Sequence, residues 1–168
     1  MLSLFAAGTF AQSEVVWRKD ISAEKLYVDK TGNIYTLANN VISKYDEKMD
    51  FVCRYDNYSA GSISMLDVSN PFKLLAFVSE FNKLMYLDNN LTELRSPINL
   101  DDAGLYNVPV VCSSSFGGFW IFDSQNSCVK RVAMDLTTTQ NGTSLYNVLN
   151  DSEILQILES VSYIFLLT

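Results

Sequence analysis

Between Leu26 and Asp56 short apolar runs alternate with polar turns at a spacing too tight for helices. Leu26–Val28, Ile34–Leu37, Val41–Tyr45 and Phe51–Tyr55 are rich in β-branched and aromatic residues, which suit a pleated, half-buried surface. Asp29-Lys30-Thr31-Gly32-Asn33, Ala38-Asn39-Asn40 and Asp46–Asp50 separate them. Asn, Asp and Gly tolerate the backbone of tight reversals, so the pattern predicts four antiparallel strands joined by hairpins. A unit of this size cannot bury both of its faces alone. It should therefore recur.

A second copy starts at Ser62, with Ser64–Asp67, the turn Val68-Ser69-Asn70-Pro71, the apolar run Phe72–Phe77 and the turn Phe81-Asn82. Lys83–Leu87, the turn Asp88-Asn89-Asn90 and a last strand at Leu91–Leu94 complete it. A third runs from Asn107 through Val108–Cys112, Phe119–Phe122 and Cys128–Met134, and Thr137–Ser144 reads as a polar linker. A fourth begins at Ile154, with strands at Gln156–Leu158 and Tyr163–Leu167. Tyr35, Leu75, Trp120 and Phe165 stand at comparable points, 40, 45 and 45 residues apart. The pairs Tyr45-Asp46 and Leu87-Asp88 keep the register at 42.

A period of about 40–45 residues with four short strands per copy is the signature of propeller blades. Evenly spaced strands of an irregular β-sandwich are the alternative. The expected fold is all-β, a partial β-propeller of about three and a half four-stranded antiparallel blades at about residues 22–56, 62–100, 107–136 and 154–168.

Composition narrows the chemistry. The chain has 168 residues, 48% hydrophobic and 18% charged, enough apolar surface for a core and too little charge for disorder. Its net charge of −7 repels phosphate backbones, so nucleic-acid binding is not expected. Histidine is absent, which removes the usual general base and the triads built on it. No Gly-x-Ser-x-Gly elbow, Walker loop or dinucleotide fingerprint occurs, and Gly117-Gly118 fits a hairpin turn. No catalytic residue and no cofactor is expected.

Cys53, Cys112 and Cys128 match no zinc spacing and sit inside apolar runs, where free cysteine behaves as a small hydrophobe. Cys112 and Cys128 fall on the first and third strands of one copy, about 9.6 Å apart, beyond the ~7 Å Cα reach of a disulfide. They should not be bonded to each other. Glu24, Asp67, Asp101, Asp102 and Asn107 could face a central channel and offer oxygens to calcium, but no motif spacing links them.

Met1–Ala11, MLSLFAAGTFA, reads as the later part of a secretory signal, with Thr9-Phe10-Ala11 as a small-x-small cleavage site. Residues 12–168 are then the propeller domain, and both ends read as clipped. The apolar stretch is too short for a transmembrane span. Uncovered blade edges, above all Tyr163–Leu167, are expected to favour self-association.

Asp67-Val68-Ser69-Asn70-Pro71-Phe72-Lys73-Leu74, Phe81-Asn82-Lys83 and Tyr86-Leu87-Asp88-Asn89-Asn90-Leu91 carry a family resemblance. With them the chain resembles small propeller proteins of Bacteroidota that carry signal peptides. More broadly, from Leu26 to Leu167, it looks like the NHL and TolB-like six-bladed propellers. The resemblance implies fold and secretion, and no activity. The expected function is a non-catalytic protein-interaction or scaffold module of the bacterial cell envelope, periplasmic or secreted. Its loops Asn57–Gly61 and Asp101–Asn107 would meet a protein partner, with Tyr55, Tyr58 and Tyr106 as contacts. A calcium-dependent hydrolase of the lactonase type and a truncated product without independent function are the alternatives.

Overall fold

The computed structural model describes residues 20–21, 23–56, 61–150 and 152–168. The signal-like segment at Met1–Ala11 and Tyr58 lie outside the described residues. The first blade consists of β1 (Lys25–Val28), β2 (Ile34–Ala38), β3 (Val41–Tyr45) and β4 (Phe51–Asp56). The second contains β5 (Met65–Asp67), β6 (Leu74–Val78), β7 (Lys83–Leu87) and β8 (Ile98–Asn99). The third contains β9 (Val111–Ser113), β10 (Phe119–Asp123), β11 (Cys128–Val132) and β12 (Thr138–Asn141). A single helical turn, α1 (Tyr146–Leu149), leads to β13 (Gln156–Ser160) and β14 (Tyr163–Leu167).

Each sheet is an antiparallel meander in chain order. The fold is a partial β-propeller, as the period predicts. Tyr35, Leu75 and Trp120 each hold the second position of their blade's second strand, and all three are buried.

The three junctions between blades hold the core. β6 supplies two of them at once, because successive side chains of a strand point to opposite faces. Leu74, Ala76 and Val78 pack with Tyr35, Leu37 and Ile42 of the first blade, whereas Leu75 and Phe77 pack with Val111, Phe119 and Ile121 of the third. Cys112, Trp120 and Phe122 then meet Ile154, Ile157, Ile164 and Leu166 of the last hairpin. Cys112 on β9 and Cys128 on β11 are free thiols with β10 between them, as the strand count requires.

One turn geometry recurs at Asp29–Asn33, Asp46–Asp50, Asp88–Thr92, Ser114–Gly118 and Ala133–Thr137. In each, the first N–H donates to the fifth carbonyl and the fourth N–H donates to the first carbonyl. The fourth residue is left-handed throughout: Gly32 (φ 87), Met49 (φ 64), Leu91 (φ 61), Gly117 (φ 87) and Leu136 (φ 69). Asp29, Asp46 and Asp88 each accept two backbone N–H groups of their own turn through Oδ1. The 42-residue spacing of Asp46 and Asp88 thus marks the same turn in successive blades.

Three expectations need correction. Leu91–Leu94 is not the fourth strand of the second blade, because Leu91 is the left-handed turn residue and buries its side chain in the first junction. Glu93 bridges Leu87 and the N–H of Leu94 reaches the carbonyl of Tyr86, after which pairing resumes at Ile98–Asn99. Pro97, which has no N–H to give a ladder, stands in that gap. Thr137–Ser144 is not a linker, since Thr138–Asn141 forms β12; an outer edge strand exposed on both faces needs no apolar residues. Phe165 is not the counterpart of Tyr35, for the tight turn before β14 places Ile164 inward and Phe165 outward. A slip of one residue reverses the faces of a strand.

Candidate functional site

The first strands of neighbouring blades face one another, β5 beside β9 and β9 beside β13. At the end where they run into their hairpin turns lies a cavity of about 450 Å³. Lys30, Asp67, Lys73, Tyr86, Ser113 and Glu159 are among its walls. The first hairpins of four successive blades bring Lys30, Asp67, Lys73, Ser113 and Glu159 together, and β7 adds Tyr86.

Cross-strand register places Asp67, Leu75 and Tyr86 in one row across β5, β6 and β7, so Asp67 and Tyr86 share the face that meets the third blade. Asp67 spans the junction. Its Oδ2 accepts the N–H of Ser113 at 2.6 Å and its Oδ1 accepts the N–H of Ser69 at 2.8 Å. Tyr86 is buried to 1% exposure, and burial followed by the nearby Asp67 carboxylate holds its phenol above the ordinary value. The Tyr86 hydroxyl and the Ser113 Oγ are both buried and have no hydrogen-bond partner among the described residues. Lys73 lies with its Nζ 4.4 Å from the centre of the Tyr86 ring, and a thioether, Met134 Sδ, is at 3.5 Å.

Glu159 closes the far wall. Burial alone would raise its carboxyl, but donation from the Ser115 N–H, the Trp120 indole and Ser114 outweighs it and holds the group below the ordinary value. The indole bond, Trp120 Nε1 to Glu159 Oε1, is 2.8 Å. Cys112 beside them is no nucleophile, since burial, with Asp67 and Glu159 adding repulsion, pushes its thiol up to about 12. Gly118 is required in this wall: a Cβ there would lie 2.0 Å from the carbonyl oxygen of Val132, on a backbone with φ 74.

The rim is apolar. The hairpin turns at this end of the blades carry Phe72, Phe116 and Val161 at their tips, 70%, 76% and 85% exposed. Arg131 stands 5.6 Å over the Phe116 ring and 5.9 Å over Trp120, beside a cleft of about 420 Å³ between the third blade and the last hairpin.

The other expected residues scatter. Tyr55 is partly buried against the first junction and its hydroxyl donates to Glu93 Oε1 at 2.5 Å. Tyr106 is exposed. Among the channel carboxylates, Glu24 accepts the N–H of Asn39, and Asp101 accepts from Asn82, both at the opposite end of their blades from Asp67. No group of three or more Cys, Asp or Glu arranged for a metal occurs among the described residues. Tyr86, Ser113, Lys73 and Glu159 had no signal of their own in the sequence, because strand register and blade order make them neighbours.

No family model matches the chain, and no curated protein matches it. Among solved structures, the chain is similar to the Pan2 WD40 domain of Neurospora crassa, with a TM-score of 0.58 and 8% identity over 86% of this chain and 43% of that one. A luciferin-regenerating enzyme gives 0.56 and 13% identity, over 79% and 48%. A streptogramin B lyase gives 0.53 and 18% identity, over 73% and 40%. The chain spans less than half the length of these structures. Enzymes and a WD40 domain both appear, so the likeness shows the propeller fold and no activity. Among the described residues no helix is long and apolar enough to cross a membrane.

Proposed function

We propose that the chain is a non-catalytic interaction module of the bacterial cell envelope that docks on a protein partner through the rim of Phe72, Phe116 and Val161. The carrying observation is their exposure on three successive hairpin tips at the end of the blades that holds the cavity. Large apolar side chains held out on rigid blades are the anchors that interfaces use. Arg131 over the Phe116 ring holds one anchor in place at little entropic cost. Tyr106 at the opposite end, with Tyr55, is a second contact set; Tyr58 joins it on the sequence alone. Periplasmic or secreted placement is supported by the signal-like Met1–Ala11 and by the resemblance to secreted propellers. The carboxylates expected for a hydrolase are divided between two ends, so that reading is not taken further.

A photo-crosslinking residue placed at Phe116 in the producing bacterium should give one discrete protein adduct in the envelope fraction, weakened by Phe72→Ser. The same residue placed at exposed Glu80, at the other end of the second blade, should not. Equal labelling from both positions, or none from Phe116, would sink the docking face. Intact mass of the exported protein should begin at Gln12.

A further inference from the structure

We propose that the cavity between Asp67, Lys73, Tyr86 and Ser113 is a binding site for a neutral saccharide. This goes beyond the docking reading and does not depend on it, since the rim residues and the cavity floor are different groups. The floor holds two buried hydroxyls, Tyr86 Oη and Ser113 Oγ, without partners among the described residues. A buried hydroxyl left unpaired costs about 1–3 kcal/mol, so two at one cavity point to a ligand that pairs them. Lys73 adds an ammonium whose hydrogen-bond acceptor among the described residues is a thioether, a weak one.

The acceptors select the class. Asp67 uses one lone pair of each carboxylate oxygen on Ser69 and Ser113, which leaves both oxygens able to accept again. Lys30 and Lys73 balance Asp67 and Glu159, so the walls carry no net charge for an ion to neutralise. A free anion would meet the Asp67 carboxylate, and a free cation would meet Lys73. Hydroxyls of a sugar both donate and accept: one can take the Tyr86 proton or the Lys73 ammonium while its neighbour donates to Asp67. The raised Tyr86 phenol stays protonated, so it remains a donor through the neutral range. The volume of about 450 Å³ accommodates one or two such rings.

Saturation-transfer NMR and calorimetry with D-glucose, maltose, cellobiose, lactose and N,N′-diacetylchitobiose test the site on the chain as it stands. At least one should bind saturably in the millimolar range. Tyr86→Phe, which keeps the ring under Lys73, and Ser113→Ala should each weaken that sugar about tenfold, the loss of one hydrogen bond together with an unpaired ligand hydroxyl. Circular dichroism melting should show both variants folded. Tightening from glucose to the disaccharides identifies a glycan chain as the natural source; equal affinity identifies a free sugar. No saturable binding by any of these sugars overturns the proposal. So do unchanged affinities in both folded variants, and so does acetate or phosphate binding that needs Lys73 and excludes the sugar.

Discussion

β6 and β14 are near twins in composition and opposites in fate. Leu74-Leu75-Ala76-Phe77-Val78 is buried at every position, whereas Tyr163-Ile164-Phe165-Leu166-Leu167 alternates exposed and half-buried side chains. β6 has a blade on each side. β14 has one blade beside it, so Ile164 and Leu166 pack inward while Tyr163, Phe165 and Leu167 face outward. Five apolar residues in a row therefore say that a strand can be sandwiched between sheets, and the stack decides whether it is.

The largest expected effect tests that contrast directly. Phe77→Ala, at 0% exposure between the second and third blades, should cost about 3–5 kcal/mol in a urea titration, the transfer loss plus the cavity left behind. A cost under about 1 kcal/mol would mean that the second junction is not a packed core. Next in size is the clasp that fastens the last hairpin to the third blade. Glu159→Ala leaves the Ser115 N–H and the Trp120 indole without their acceptor, an expected loss of about 2–3 kcal/mol. Trp120 fluorescence should report loosening of this junction before the first one melts.

Acid should act at the other end of the chain. Burial alone would raise the Asp29 carboxyl, but hydrogen bonds from Asn33 and Thr31 lower it from 3.8 to about 2. A pKa depressed in the folded state stabilises the fold above the unfolded value and is lost as pH falls through the folded one. The first blade should therefore lose about 1–2 kcal/mol between about pH 4 and pH 2, the upper figure before solvent screening. Asp29→Asn should remove this pH dependence; a wild-type acid profile in that variant would show that the turn is not its source.

The smallest effect on stability should come from Phe165→Ser, within about 0.5 kcal/mol at a position 54% exposed. Its effect on association should be plain, because Leu158, Tyr163, Phe165 and Leu167 make one open apolar face. Sedimentation velocity should show the parent chain self-associating and the variant shifted towards monomer. A monomeric parent would show that this face needs no cover.

The blade repeat was legible because its signals are local. Strand-forming runs, Asp-capped turns and a left-handed fourth residue each act within a few residues, and Asp46 and Asp88 kept their spacing as a result. Where the cap moved from the first turn residue to Asp135, at Ala133–Thr137, the turn and the β12 beyond it went unread. The free state of Cys112 and Cys128 followed from strand order alone. Other features are not local. Phe72 belongs to an apolar run by sequence and to an exposed turn in space; Phe165 differs from Ile164 only in which face the preceding turn assigns it. The cavity shows the limit most clearly. Asp67, Tyr86 and Ser113 come from strands β5, β7 and β9, and they meet because register aligns two of them while blade stacking brings up the third. The sequence by itself determined the strands, the turns and their period, since backbone sterics and side-chain capping act over neighbouring residues. Which apolar faces are covered, and which polar groups share a cavity, only the stacking of blades decided, because burial is a property of neighbours distant in the chain.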